Sequence, residues 1–360
     1  MIDMIKKLFY NPDYAVLPGA TVAETLQNLC MKQAELAQRT GRPLKTINQI
    51  IRGKASITAE TAIQFEKALG APASFWLKLE QNYQERKARL KEEDEMRAQF
   101  KWLTELPLRS MIQYSWLKRH GDKYLQLQEV LRFFGVVHFK QIQITPTGSV
   151  AFRKSTKSKI NKWALAAWLR KGEIDAKNVD CNAYNKSIFN AKLNEIRSLT
   201  RDDKDVKTWG KIIDICSRCG VALVFVRELP GLPVNGATYW LKDKPVIQLS
   251  LRYKKNDILW FSFFHEVGHI LKHGKKDVFV EISNVNILKE READKFASEF
   301  LIPEKIYNGY ISKGEFTEES IKKFADTLGI ASGIVVGRLQ HDSILQYNQF
   351  NGLKTGLRWS

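Results

Sequence analysis

Two features are scarce in this sequence: cysteine and long apolar runs. The 360-residue chain has four cysteines, at positions 30, 181, 216 and 219. They are too few and too scattered for a disulfide framework, which favours a reducing compartment. No window reaches the ~20 apolar residues that cross a bilayer, and the N-terminus lacks a signal-peptide pattern. We therefore expect a cytoplasmic protein with no membrane partner.

Acidic residues are also outnumbered. The chain has 57 Lys and Arg against 39 Asp and Glu, for a formal net charge of +18. Such an excess favours a polyanionic partner, and nucleic acid before membrane, because no basic amphipathic anchor is evident.

Turn residues divide the chain into three regions without internal repeats. Residues 1–82 read as short helices joined by glycine-containing turns, as in a compact helical bundle. Residues 83–204 form a helical linker and a basic helical middle region, whose helices could extend a DNA footprint, cover a cleft or mediate dimerisation. Residues 205–360 begin with runs typical of a small antiparallel sheet and continue with helices. The predicted fold class is α+β.

The stretch WFSFFHEVGHILKHG places two histidines on one helical face. His265 and His269 are four residues apart, so their imidazoles can converge on one ion. Glu266 lies about 100° further round the helix, where it can reach the attacking water without binding the metal. The pattern predicts the zinc site of a metallopeptidase; the alternative is an ordinary packed helix that happens to carry two histidines.

A third ligand is expected from the helical segment NILKEREADKFASEFLIP. Glu290 is the better candidate, because small residues on its face would permit close approach to the histidine helix. Glu292 is the alternative, and His273 is a weaker one, since its helix should end one residue later. Asp294 could accept a hydrogen bond from a ligating imidazole and thereby select its tautomer.

With these residues assembled, the region from about 205 to 345 resembles the ImmA/IrrE family of zinc metallopeptidases. The resemblance rests on HEVGHILKHG, EREADKFASEFLIP and FADTLGIASGIVVGRLQHD, in the order of the family. It implies a gluzincin-like site in which zinc is held by His265, His269 and Glu290 and Glu266 is the general base. It also implies a protein that acts on a transcriptional repressor.

Peptide hydrolysis also needs a donor to the developing oxyanion. The sequence offers His341, Tyr310 and Tyr239 for this role and does not choose among them.

A second signal lies in MKQAELAQRTGRPLKTINQIIRGKASIT. Gly41 supplies a turn between two helices, and Leu36, Ile47 and Ile50 provide a shared core. This pattern is typical of a helix-turn-helix. Donor-rich side chains then point outward from the second helix as the predicted DNA-reading set: Lys45, Thr46, Asn48, Gln49 and Arg52. Lys32 and Gln33 would hold the DNA backbone.

This segment resembles the XRE-type helix-turn-helix domains, and the longer run from PGATVAETLQNL to KALGAPASFW is similar to HigA-type antitoxins. The resemblance implies a homodimer on a palindromic double-stranded DNA operator. The alternative is a three-helix interaction module with an ordinary polar face.

Taken together, the sequence predicts an N-terminal helix-turn-helix bundle and a C-terminal gluzincin-like domain. The leading hypothesis is a DNA-binding regulator whose peptidase cleaves a protein partner, such as a repressor, or itself. The alternative is a HigA-like antitoxin of a toxin–antitoxin module, in which the peptidase fold serves only for sensing or binding.

Overall fold

The computed structural model describes residues 14–142, 161–202, 206–275, 279–280 and 287–359. The first 13 residues of the predicted region 1–82 therefore lie outside the described residues. The chain divides into two compact units, residues 1–100 and 101–360. The finer division at residues 82 and 204 stays a prediction.

The first unit is helical. Its helices are α1 (Pro18–Asn28), α2 (Gln33–Thr40), α3 (Leu44–Ile51), α4 (Ala59–Leu69) and α5 (Ala73–Arg97). Helix α2 ends at Gly41, whose φ of 65° lies in the left-handed region that glycine adopts without strain. Leu36, Ile47 and Trp76 are fully buried and hold α2, α3 and α5 around one core.

Helices α1 and α3 also pack closely. A Cβ atom on Gly19 would lie 2.3 Å from the backbone oxygen of Ile50, so only glycine permits this approach. The crossing supports α3 from the side opposite to its polar face.

The second unit is larger and mixed. Its helices are α6 (Leu108–Gln113), α7 (Lys123–Phe134), α8 (Lys162–Asn178), α9 (Lys186–Ser198), α10 (Val206–Arg218), α11 (Asn256–Lys272), α12 (Ile287–Leu301), α13 (Glu304–Ile311), α14 (Glu318–Leu328) and α15 (Ser332–His341). Its strands are β1 (Ala222–Phe225), β2 (Gly236–Leu241), β3 (Lys244–Leu249) and β4 (Phe279–Val280). Within the described ranges, every helix is too short or too polar to span a bilayer.

The strands form one sheet in the order β1-β3-β2-β4. The α+β class is confirmed, but the expectation of an antiparallel sheet is wrong for β1, which pairs parallel to β3. The β2–β3 hairpin is antiparallel, and β1 lies on the outer side of β3 instead of beside β2. A hydrophobic run in the sequence indicates a strand but does not show which strand it pairs with, because strand pairing is decided by tertiary packing.

The two faces of the sheet carry different helices. Leu223, Ile247 and Leu249 belong to the same core as α11. On the other face, the Gln248 side chain donates a hydrogen bond to the backbone oxygen of Trp168 on α8 at 2.7 Å. Trp168 in turn donates from its indole to the backbone oxygen of Val226, at 3.2 Å. Part of the basic middle region is thus a buried layer of the second unit.

A substitution at Gly172 on α8 can test whether this helix packs closely on the sheet. A Cβ atom there would lie 1.7 Å from Oε1 of Gln248, a fully buried side chain that is hydrogen-bonded at both ends. We expect Gly172→Ala to destabilise the protein by about 1–3 kcal/mol in denaturant unfolding, because Gln248 must leave its partners.

The matched control is Gly210→Ala on α10, where an added Cβ meets nothing within 4 Å. Its exposed helical position should gain up to about 1 kcal/mol from the better helix propensity of alanine. Equal stability of the two variants would contradict the close docking of α8.

Candidate functional site

The site is built where α11 and α12 cross. A Cβ atom on Gly268 would lie 3.1 Å from Cα of Ala293 and 3.2 Å from Cδ1 of Phe296, closer than ordinary van der Waals contact. Both Gly268 and Ala293 are buried. The two small residues therefore let the helix axes approach, which brings the polar side chains one turn away within reach of one another.

Three potential metal ligands converge at this crossing. Nε2 of His265 lies 3.2 Å from Oε2 of Glu290 and 3.0 Å from Nε2 of His269. Nε2 of His269 lies 3.5 Å from the same Glu290 oxygen. Two imidazole nitrogens and a carboxylate oxygen, all within 4.8 Å of one another, form a donor set suited to a divalent metal with an open position. The residues present thus fit a zinc ion.

The outer nitrogens of the histidines are also engaged. Nδ1 of His265 lies 2.8 Å from Oδ1 of Asp294, which places the ring proton on Nδ1 and leaves Nε2 for a metal. His269 stacks on Phe279, with ring centroids 4.0 Å apart and planes 14° apart. Asp294 therefore lies within hydrogen-bond distance of a candidate ligand, and its role in selecting the tautomer stays a prediction.

His273 and Glu292 lie beside the three ligands and pair with each other. Nε2 of His273 lies 3.0 Å from Oε2 of Glu292, and Nδ1 of His273 lies 3.0 Å from Nδ1 of His269. Helix α11 ends at Lys272, so His273 is its C-cap. The geometry groups Glu290, and not Glu292 or His273, with the metal-facing atoms.

Burial and pairing shift the pKa values in opposite directions. Burial lowers the pKa of His265, but its hydrogen bonds to Asp294 and Glu290 outweigh burial and raise the pKa to about 10. Burial raises the pKa of Glu290, yet His265 and His269 bring it down to about 2. Burial lowers the pKa of His269. These shifts favour an ionised Glu290 and a His265 protonated on both ring nitrogens near neutral pH; a bound cation would displace the proton on Nε2 and leave the proton on Nδ1 with Asp294.

Glu266 points toward strand β2. The hydroxyl of Thr238 donates to Oε2 of Glu266 at 2.6 Å and lies 3.1 Å from the backbone oxygen of the same residue. A Cβ atom on Gly236 would lie 2.4 Å from Oε1 of Glu266, so glycine leaves the space that this carboxylate occupies. Glu266 is 1 % exposed. The sheet therefore fixes the position of the predicted general base.

Sequence reasoning did not identify Thr238, Gly236, Gly268 or Phe279. Gly268 carried a signal, since it interrupts a helical segment of bulky residues, where a close approach is a usual reason for glycine; Gly236 carried none, because it follows the turn-rich PGLPVN. Thr238 and Phe279 carried none, because a threonine and a phenylalanine are ordinary strand residues.

The three predicted oxyanion donors are dispersed. Tyr239 is removed from the candidates, because its hydroxyl donates to Oε1 of Gln248 at 3.0 Å on the sheet face that carries α8, whereas Thr238 points to α11. Tyr310 is 8 % exposed and stacks on Phe324, with ring centroids 4.0 Å apart. His341 is exposed at the end of α15.

The predicted DNA-reading helix is α3. Ile47 and Ile50 face the core, while Lys45 and Arg52 are exposed. The remaining members, Thr46, Asn48 and Gln49, are partly exposed. Lys32 and Gln33 are exposed where α2 begins. The outward set thus lies on the polar side of α3, as a major-groove helix requires.

Arg42, which precedes α3, has a structural role that sequence reasoning missed. Its guanidinium hydrogen-bonds to the Gln64 side chain and lies 3.2 Å from a carboxylate oxygen of Glu60. These contacts join the turn to α4. Pro43 is the N-cap of α3, with φ of −57°.

Two segments of the chain match known families. Residues 23–76 match the helix-turn-helix family, and residues 222–340 match the IrrE N-terminal-like domain. No curated protein matches the chain.

Several solved structures are similar to part of the chain. A HigA-family addiction module antidote protein from Coxiella burnetii is 31 % identical, with a TM-score of 0.23, and the match covers 24 % of this chain and 94 % of that one. A putative antidote protein of a plasmid maintenance system from Nostoc punctiforme is 32 % identical, with a TM-score of 0.23, over 24 % and 93 %. The Pseudomonas aeruginosa antitoxin HigA with the higBA promoter is 25 % identical, with a TM-score of 0.22, over 23 % and 90 %.

The ligand geometry leads to a prediction about metal content. We expect about one zinc per chain, lost in His265→Ala, because two remaining protein ligands hold zinc poorly. Glu290→Gln should weaken zinc affinity by at least about 10-fold, measured with a competing chelator. Glu292→Gln is the matched control on the same helix, and zinc loss there with full retention in Glu290→Gln would transfer the ligand role to Glu292.

The outward face of α3 leads to a prediction about DNA. Gln49→Ala should lose about 1–3 kcal/mol of binding free energy for the preferred operator and leave weak non-specific binding largely intact, since an amide side chain reads base edges. Gln81→Ala, at an exposed position on α5, is the control. Equal titration curves for both variants would remove Gln49 from the reading set.

Proposed function

We propose that this chain, which carries a helix-turn-helix domain and an IrrE N-terminal-like domain, is a DNA-binding regulator and a zinc-dependent endopeptidase. Its substrate would be a protein partner, such as a repressor, or the regulator itself. The observation that carries the proposal is the convergence of His265, His269 and Glu290 next to the buried carboxylate of Glu266. A binding domain has no need of a buried, oriented acid at that position.

The metal would be held by His265, His269 and Glu290. Zinc bound in this way offers a position for water, lowers the pKa of that water and polarises the scissile carbonyl. The chain's own contribution is orientation. Asp294 keeps the Nδ1 proton of His265 and turns Nε2 toward the site, at the 2.8 Å separation already described.

Glu266 would carry the protons. Its carboxylate accepts one proton from the attacking water and later gives a proton to the leaving amine. Thr238 donates to Oε2 and so holds the carboxylate in one rotamer. The second oxygen, Oε1, lies beside Gly236, where no side chain competes for the space.

The N-terminal domain would direct this activity to DNA-bound proteins. The exposed polar face of α3 fits the major groove, and the net charge of +18 favours association with a polyanion. A homodimer on a palindromic operator is the arrangement that we propose, by resemblance to XRE-type domains. Regulation would then follow from removal of a partner repressor or from self-cleavage.

The test replaces Glu266 with glutamine. Glu266→Gln keeps size and removes the proton acceptor, so zinc content and fold should persist while cleavage falls by about 10²–10⁴-fold. Wild type and variant are incubated with zinc, with neighbouring regulators and with lysate of stressed cells, and new N-termini are identified by mass spectrometry.

Glu304→Gln, at an exposed position of α13, is the matched control and should cleave like wild type. If wild type and Glu266→Gln give the same fragments and regulate transcription identically, the HigA-like antitoxin hypothesis, with a sensing or binding role for this fold, becomes the better account.

A further inference from the structure

His273 lies directly behind the second metal-facing histidine. It is the C-cap of α11, and its backbone N–H donates to the backbone oxygen of His269 at 3.0 Å. With φ of −113° and ψ of 163°, the chain leaves the helix at this residue. The imidazole of His273 is thereby placed beside that of His269, with ring centroids 5.1 Å apart.

A chain of polar contacts runs from the metal-facing atoms to the protein surface. Nε2 of His269 is the ring nitrogen turned toward Glu290, at 3.5 Å from Oε2. Nδ1 of His269 lies 3.0 Å from Nδ1 of His273, and Nε2 of His273 lies 3.0 Å from Oε2 of Glu292. The side chain of His273 is 3 % exposed and that of Glu292 is 64 % exposed. The contacts therefore begin in the buried cluster and end at an exposed carboxylate.

With neutral imidazoles, these contacts are satisfied by one tautomer of each ring. A carboxylate accepts hydrogen bonds and donates none, so the proton of the His273 ring belongs on Nε2. Nδ1 of His273 is then an acceptor, and Nδ1 of His269 donates to it. This arrangement leaves Nε2 of His269 without a proton, which is the state that a metal requires.

Phe279 covers both rings. Its centroid lies 4.0 Å from that of His269, with planes 14° apart, and 5.0 Å from that of His273, with planes 38° apart. Phe279 is itself 5 % exposed. Because a buried polar atom without a partner is costly, this cover penalises any tautomer that would leave the two Nδ1 atoms unpaired.

From these contacts we infer that His273 and Glu292 are positioning residues of the metal site. Glu292 fixes the tautomer of His273, and His273 in turn holds His269 in the tautomer and ring orientation that bind a divalent cation. The inference rests on the zinc site of the proposed function and is independent of cleavage. Each candidate histidine ligand then has a carboxylate of α12 behind it: Asp294 contacts His265 directly, and Glu292 reaches His269 through an imidazole.

Two substitutions at His273 test the acceptor. His273→Leu removes it and should weaken the zinc affinity of the full-length protein by about 10- to 100-fold, measured with a competing chelator. His273→Asn can place its amide oxygen near the position of Nδ1, so it should bind zinc within about 3-fold of wild type. Equal weakening in both variants means that the ring acts through packing alone, and this result overturns the inference. Unchanged affinity in His273→Leu overturns it as well.

Substitutions at Glu292 test the exposed end of the chain of contacts and leave the core intact. Glu292→Leu removes the acceptor of His273 and should weaken zinc binding by about 3- to 10-fold. Glu292→Gln keeps an acceptor oxygen and should match wild type. Lys295→Leu, which adds the same side chain at another exposed position of α12, is the matched control. Equal zinc affinities of Glu292→Leu and Glu292→Gln overturn the role of Glu292.

The tautomers are measured directly by long-range ¹H–¹⁵N NMR of the zinc-loaded protein, labelled at its six histidines. We expect a proton on Nδ1 of His269 and on Nε2 of His273, whose signals are identified by their loss in His273→Asn. In Glu292→Leu, His273 should populate both tautomers. A histidine that only fills space has no reason to adopt one tautomer, and a proton on Nδ1 of His273 in the wild type overturns the inference.

The failure of this inference and that of the proposed function give different results. A wild type that binds no zinc overturns the proposed function and the inference with it. Zinc that is bound equally well by wild type and His273→Leu overturns the inference alone and leaves the proposed peptidase site standing. Thermal unfolding of the zinc-free proteins confirms that each variant is folded.

Discussion

The candidate site depends on how closely two helices approach. At the crossing of α11 and α12, Gly268 faces Ala293, and an added Cβ would be 3.1 Å from the opposing backbone. A larger residue at either position would push the helices apart and move Glu290 away from the histidines. This packing constraint thus positions the three candidate metal ligands.

His265, Glu266 and His269 are buried near this crossing, and each has local polar partners. His265 contacts carboxylates through both ring nitrogens. Glu266 takes a hydrogen bond from Thr238. Burying ionisable groups without such partners would cost several kcal/mol each, so the network restricts the side chains to few conformations. This rigidity is what a catalytic group needs, because it is already oriented when a substrate arrives.

The middle of the chain has a clear structural role in the second unit. Helix α8 covers the face of the sheet that is turned away from α11. At this contact, the side chains of Trp168 and Gln248 are fully buried, and that of Gln248 donates a hydrogen bond to the backbone oxygen of Trp168. Strand β2 is therefore held from both sides, by α8 through Tyr239 and Gln248 and by α11 through Thr238. The position of Glu266 therefore depends on the packing of α8 as well, because Thr238, which contacts Glu266, and Tyr239, which contacts Gln248, are neighbours in β2.

The sequence by itself determined the local features. Apolar periodicity and turn residues predicted the short helices around Gly41 and the helix that carries His265 and His269, because each depends on residues within a few turns of one another. The spacing of those histidines likewise required one shared face. Glu290 was preferred over Glu292 on the ground that small neighbours permit a close helix crossing, and the structure groups Glu290 with the histidines. Only the tertiary structure decided the rest: the parallel pairing of β1 with β3, the Thr238 contact to Glu266, the turning of Tyr239 away from the site, and the burial of α8. These features join residues that are distant in the chain, and a local pattern carries no information about which distant surface will pack against it.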